Sequence, residues 1–101
     1  MKVSSYVNGQ WHISNDAGVE IYHAVSGDPV AQISSQGIDF AAVATYGRNV
    51  GGTALRQMTL HERANMLKHL GKYLLERKQE FYTLSACTGA TQLDSWVDIE
   101  G

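Results

Sequence analysis

The stretch TLHERANMLKHLGKYLLERKQEFYTL, Thr59 to Leu84, decides how this chain is read. Thr59 and Glu62 have the T-x-x-E spacing of a capping box, which marks a helix start. Leu60, Ala64, Leu67, Gly71, Leu74 and Leu75 then recur at helical period. His61, Asn65, Lys68, His69, Lys72 and Glu76 cover the opposite face. Arg63 breaks the pattern, lying at the edge of the apolar stripe beside Leu67 and Leu70. A guanidinium suits such a place, because its five donors satisfy several acceptors at once. The spacing therefore predicts that Arg63 is substantially buried and ties the helix to another element. The helix is expected to run on through "QEFYTLSACTG" and to end at Gly89, a typical C′ residue.

Working outward, "GIDFAAVATYGRNVGG" reads as a second helix. Asp39 is its N-cap. Ile38 and Val43 fall at the N′ and N4 positions of a hydrophobic staple. Phe40, Val43, Ala44, Gly47 and Val50 make one face, and Gly51-Gly52 is expected to end the helix. "TQLDSWVDIEG" starts a further helix, inside which the chain stops. The first third is strand-like instead. In "SSYVNGQWHI", Asn8-Gly9 supplies the two positive φ angles of a type I′ hairpin turn. "GVEIYHAV" alternates Val19, Ile21 and His23 against Glu20, Tyr22 and Ala24. "PVAQIS" follows the turn "SGD", with Pro29 at a strand start. The expectation is an α+β segment, with short antiparallel strands over about residues 5–35 and helices over about residues 39–101.

Composition bounds the function. The chain has 101 residues, 44% of them hydrophobic and 18% charged, which is a globular balance for at most one domain. The net charge of -2 gives no reason to expect a nucleic acid or membrane partner. Basic groups nevertheless gather between residues 48 and 78, as Arg48, Arg56, Arg63, Lys68, Lys72, Arg77 and Lys78. They lack the interleaved aromatic platforms of single-strand binders. Most read as the solvated side of one helix. No run resembles a secretory h-region or a membrane span, so a soluble cytoplasmic protein is expected.

No residue shows the pattern of a reaction centre. Cys87 lies near a helix C-terminus, where the dipole disfavours a thiolate, and reads as a small core residue. His12, His23, His61 and His69 lack metal-ligand spacing. Asp94 and Asp98 are one helical turn apart with Glu100 nearby, but acids early in a helix commonly serve its dipole. Gly51-Gly52 follows a helix rather than a strand, so it is not a phosphate loop. No catalytic, cofactor-binding or metal-binding residue is therefore assigned.

The order of segments is more informative than any one of them. "YVNGQW", then "VSGDPVAQI", an alanine-rich helix, and "TLHERANMLKHLGKYLLERKQEFYTLSACTGA" together resemble the N-terminal portion of the aldehyde dehydrogenase superfamily. There a [FY]-[IV]-N-G-x-[WF] hairpin precedes an N-P-A-T-G-E-x-[IV]-A turn and strand. An alanine-rich helix and an E-R-x-x-x-L helix with a trailing T-G-K follow. The family's Asn-Pro is His23-Ala24 here, and its Thr-Gly-Lys is Thr88-Gly89-Ala90. Within the family the wording is most similar to the phenylacetate-degradation branch. That branch joins a dehydrogenase domain to a hotdog-fold oxepin-CoA hydrolase domain.

The resemblance implies a truncated portion of an α/β fold whose helices flank a dinucleotide-binding sheet. The parent protein would use NAD or NADP to oxidise a semialdehyde, by attack of a thiolate and hydride transfer. Its thiolate, glutamate base and dinucleotide site all lie outside these residues. The implied partners are the remainder of the parent chain and further copies in a homo-oligomer. The alternative is a free-standing, non-enzymatic interaction module. The boundary drawn at Thr59 has a direct test. Thr59→Ala should destabilise the main helix by roughly 1 kcal/mol, seen as a lowered denaturation midpoint.

Overall fold

The computed structural model describes residues Met1–Gly101. Residues group into two compact units, one of Met1–Ile21 with Ala31–Leu60 and one of Tyr22–Val30 with His61–Gly101. The expected α+β composition is present. Strands β1 (Ser5–Val7), β2 (Gln10–His12), β3 (Val19–Tyr22) and β4 (Pro29–Ile33) precede helices α1 (Phe40–Tyr46), α2 (Gly52–Gln57), α3 (Leu60–Glu76), α4 (Lys78–Ala86) and α5 (Gln92–Glu100).

In the first unit, β1 and β2 form the expected hairpin. Asn8 and Gly9 take φ of 52° and 78°, the left-handed values that a two-residue turn matching strand twist demands. The register pairs Ser5 with His12, Tyr6 with Trp11 and Val7 with Gln10. Directly opposed side chains interact across such a ladder. Here the Tyr6 and Trp11 rings meet edge to face, with centroids 5.1 Å apart. β3 pairs with β4 in a second two-stranded sheet. The first residues of the chain join β4, through Val3 N donating to Gln32 O and Gln32 N donating to Met1 O.

Helix α1 starts where Asp39 was placed, with Ala42 N donating to Asp39 Oδ1 at 3.0 Å. It does not end at Gly51-Gly52. The backbone passes from α1 through a π-helical turn, Gly47–Gly51, directly into α2. Gly51 and Gly52 both hold right-handed helical angles. A glycine costs helix stability but does not forbid the conformation, so a Gly pair can carry a helix onward. The actual stop is Met58, which turns extended at φ -93° and ψ 142°.

In the second unit the long helix expected over Thr59–Leu84 is split. α3 ends at Glu76, and Arg77 leaves helical geometry at φ -107° and ψ 13° before α4 begins. No glycine or proline announces the break. Arg77 sets its guanidinium over the Tyr73 ring, 4.2 Å from the centroid, and makes no side-chain cap. The re-aimed α4 packs against α5, where Ser95 Oγ donates to Ser85 Oγ at 2.8 Å. Gly89 closes the α4 end in the left-handed conformation at φ 84°. Cys87 is the C-cap, so Gly89 sits one residue beyond the C′ position expected of it.

The apolar stripe of α3 is present but uncovered: Leu60 is 81% exposed, and Leu67, Leu70, Leu74 and Leu75 are all exposed. Arg63 is the one residue of α3 that is half-buried. The expected burial is thus met in part. The expected tether is not found at Nε, which is shut off from solvent without an acceptor. The pattern extends to the whole chain. No hydrophobic residue is buried, and only Ser14 and Ser95 are. The chain exposes 7922 Å². A self-contained monomer of 11.1 kDa exposes about 5,700 Å².

One contact positions the hairpin on α1 and can be tested. A Cβ on Gly9 would lie 2.7 Å from Tyr46 Oη. Gly9→Ala should therefore destabilise the first unit by about 1–2 kcal/mol through left-handed strain, plus displacement of Tyr46. Thermal denaturation of Gly9→Ala beside Gly9→Ala/Tyr46→Phe checks it. Partial rescue by the second change is expected.

Candidate functional site

The residues weighed for chemistry are dispersed. Cys87 sits at the C-cap of α4 and is half-buried. Its thiol donates to Thr83 O at 3.7 Å, one turn back along the helix. Its carbonyl accepts from Ala24 N at 2.9 Å. Both interactions are those of a helix terminus, and no base stands hydrogen-bonded to the sulfur to make it a nucleophile.

Two histidines serve turns. His12 Nε2 faces Gln36 O at 2.8 Å. A carbonyl only accepts, so that nitrogen carries the proton. His23 Nδ1 does the opposite, accepting from Val25 N at 3.1 Å and Ser26 N at 3.3 Å. His61 and His69 lie on the exposed length of α3. Nowhere do three or more His, Cys, Asp or Glu side chains converge as a metal-binding group.

The three acids near the C-terminus do not converge either. Asp94 closes a capping box. Thr91 Oγ1 accepts from Asp94 N, and the Asp94 carboxylate accepts from Thr91 N and Thr91 Oγ1. These Thr91 hydrogen bonds, side chain first and backbone second, hold the carboxyl below its ordinary range. The T-x-x-D spacing that signals this cap is present in the sequence, where Asp94 is expected only as an acid serving the helix dipole.

Glu100 belongs to a cluster that sequence reasoning missed. Its Oε1 accepts from the Tyr82 hydroxyl, and its Oε2 pairs with Lys78 Nζ at 3.0 Å. Lys78 and Tyr82 are four residues apart on α4, so one helix face presents both to α5. The only sequence signal was that spacing. The Tyr82 hydrogen bond, followed by the Lys78 interaction, lowers the Glu100 carboxyl. Glu100 in turn pushes the Tyr82 phenol up to about 12. The cluster is a latch between α4 and α5.

The basic group also divides. Lys78 is in the latch, Arg77 lies on Tyr73, and Arg56 Nη2 donates to Thr53 Oγ1 at 3.2 Å. Arg63 is half-buried, which leaves Arg48, Lys68 and Lys72 on exposed helix surface. A cavity of about 540 Å³ opens in the first unit between Asp16, Gly18, Val19, Ile33, Ser34 and Ser35. Asp16 Oδ2 accepts from Ser34 Oγ at 2.8 Å, whereas Oδ1 is buried without a partner. Ser34 Oγ is itself fixed by Gln36 N, so this serine is part of the loop framework.

What remains prominent is apolar surface. Tyr6, Trp11 and Ile13 stand out from the hairpin, and Leu60, Leu67 and Leu70 from α3. A monomer's largest apolar patch is normally a few hundred Å², and larger ones mark interaction sites.

No protein-family model matches the chain. A comparison with curated proteins finds 3,4-dehydroadipyl-CoA semialdehyde dehydrogenase of Aromatoleum evansii, 34% identical over 102 residues. The match takes in the whole of this chain and 20% of that protein. The chain is thus related in sequence to one fifth of a semialdehyde dehydrogenase. No helix is long and apolar enough to cross a membrane.

The latch gives a pH prediction. Glu100 is lowered, so its contribution is fully present above its unfolded value and is lost as pH falls through the folded one. Tyr82 is raised, so its contribution is present below pH 10.0 and lost as pH rises through about 12. Tyr82→Phe removes the larger cause and should move the Glu100 titration up toward its ordinary range, with Lys78 still holding part of the shift. NMR titration of the Glu100 side-chain carbon reads this directly. An unmoved titration would mean that the phenol does not hold the carboxylate.

Proposed function

We propose that this chain is a scaffold portion of an NAD(P)-dependent aldehyde dehydrogenase that oxidises a CoA-linked semialdehyde. In this reading the nucleophile, the base and the dinucleotide site are supplied by other parts of the same protein. The observation that carries it is physical: 101 residues arranged in regular strands and helices bury no hydrophobic side chain. Folding is driven chiefly by burial of apolar area, so elements this regular need a cover. A relative whose matching part is only 20% of its length supports the rest of a longer chain as that cover.

The relative's name supports a CoA-linked semialdehyde as substrate class. The order of the hairpin, turn and helix motifs supports the aldehyde dehydrogenase superfamily and its phenylacetate-degradation branch. The reading commits to the dehydrogenase and leaves a fused oxepin-CoA hydrolase to that branch resemblance alone. NAD or NADP would bind on the covering part, and copies would assemble through surfaces such as the Tyr6–Trp11 hairpin face.

The 101-residue chain alone should then self-associate and raise the fluorescence of a hydrophobic dye. It should show no aldehyde-dependent reduction of NAD or NADP. Sedimentation, dye titration and absorbance at the reduced-nicotinamide band measure the three. A compact monomer at high concentration, with hairpin amides protected from exchange, would instead favour a free-standing interaction module. Turnover abolished by Cys87→Ser would overturn the scaffold reading outright.

A further inference from the structure

The turn from His23 to Asp28 rests on an imidazole nitrogen. His23 Nδ1 accepts from Val25 N and Ser26 N at 3.1 and 3.3 Å. The same turn is closed by His23 N donating to Asp28 O at 2.8 Å and Gly27 N donating to His23 O at 2.9 Å. Asn and Asp ordinarily fill this role, since their side-chain oxygens accept from backbone N–H groups further along a turn. Those acceptors do not gain a proton near neutral pH in the ordinary case, but an imidazole does.

We propose that His23 makes this turn a pH-responsive joint. With Nδ1 unprotonated, the ring holds two backbone amides. With Nδ1 protonated, three N–H groups face one another, and both amides lose their acceptor. The proton comes from solvent and stays on the ring, so no other reactant is needed. The joint has a second end, because the next residue, Ala24, donates its N–H to Cys87 O at the C-cap of α4. Carbonyls at a helix C-terminus lack intrahelical partners, so this bond satisfies one of them. Opening the turn therefore also weakens the tie to α4. The titratable residues placed by these bonds are Asp28, on the turn itself, and Cys87, at the α4 end. Cys87 meets the turn through its backbone carbonyl, and Asp28 through its carbonyl and through its N–H, which donates to Ser26 Oγ at 3.3 Å.

The test is amide exchange by NMR on the full 101-residue chain, expressed as protection at pH 7.5 and at pH 5. In the native sequence, Val25 and Ser26 should be protected at pH 7.5 and lose roughly fivefold of that protection at pH 5, about one net hydrogen bond each. His23→Asn keeps an acceptor without the titration, so protection should persist at both pH values. His23→Phe should be unprotected at both. The ring itself gives an independent reading, since 15N shifts at pH 7.5 should report an unprotonated Nδ1 with the proton on Nε2. Equal protection at the two pH values in the native chain overturns the proposal. So does an absence of protection at pH 7.5, or a loss at pH 5 that His23→Asn shares, which would assign the effect to another group.

Discussion

Turn and cap hydrogen bonds set the element boundaries in this chain, because no apolar side chain is buried deeply enough to do so. Asp39 starts α1, Thr91 and Asp94 start α5, Asn8-Gly9 reverses the first hairpin, and His23 shapes the second. Each such bond contributes modestly, typically about 1 kcal/mol net. Such contributions select where an element begins more readily than they hold elements together. That division explains how the chain can be so regular locally and so open globally. The local information is complete, while the burial that would consolidate it lies on surfaces still facing water.

The α4–α5 pair differs in being joined by hydrogen bonds between side chains of two helices. Ser95 is 2% exposed and bonds Ser85, and Glu100 reaches back to Tyr82 and Lys78. Hydrogen bonds between side chains specify one approach of two helices more sharply than apolar contact does, since a displaced helix leaves partners unmatched. Arg63 shows the same logic incomplete. Its stem is partly covered and its Nε is closed off without an acceptor, a state that costs about 1–3 kcal/mol for a neutral donor and more for a charged one. Both sites suit a segment whose neighbours complete it.

Legibility in the sequence followed range. The hairpin register, the Asp39 cap and the extent of β4 depend on residues within a few positions, and each was readable. The Thr91–Asp94 cap was equally local and was missed because its carboxylate was weighed for chemistry first. The break at Arg77 was not readable. Its neighbours are good helix formers, and what distinguishes it is a cation over an aromatic ring, an arrangement that the sequence permits but does not demand. The latch was beyond reach for another reason, since Glu100 meets Lys78 and Tyr82 only after two helices have been aimed at each other. The stripe on α3 was read correctly as a pattern. Its burial was not legible, because periodicity identifies a face that seeks a partner and is silent about whether the partner is in the same 101 residues.

The π-helical turn at Gly47–Gly51 has a bearing on how this chain tolerates changes of length. A wide turn takes up about one residue more than an α-helical turn over the same rise, and each residue advances an α-helix by about 100°. The side chains after Gly51 therefore keep close to the direction that a plain α-helix one residue shorter would give them. Deleting a single position between Tyr46 and Gly52 would let the backbone relax into plain α-helix with its bonds intact. Leu55 and Arg56 would keep nearly their present direction relative to Phe40 and Val43, because the wide turn already takes up the extra residue within about the same rotation. The segment thus works as a length buffer, where the backbone takes up one residue without turning the second half of the helix.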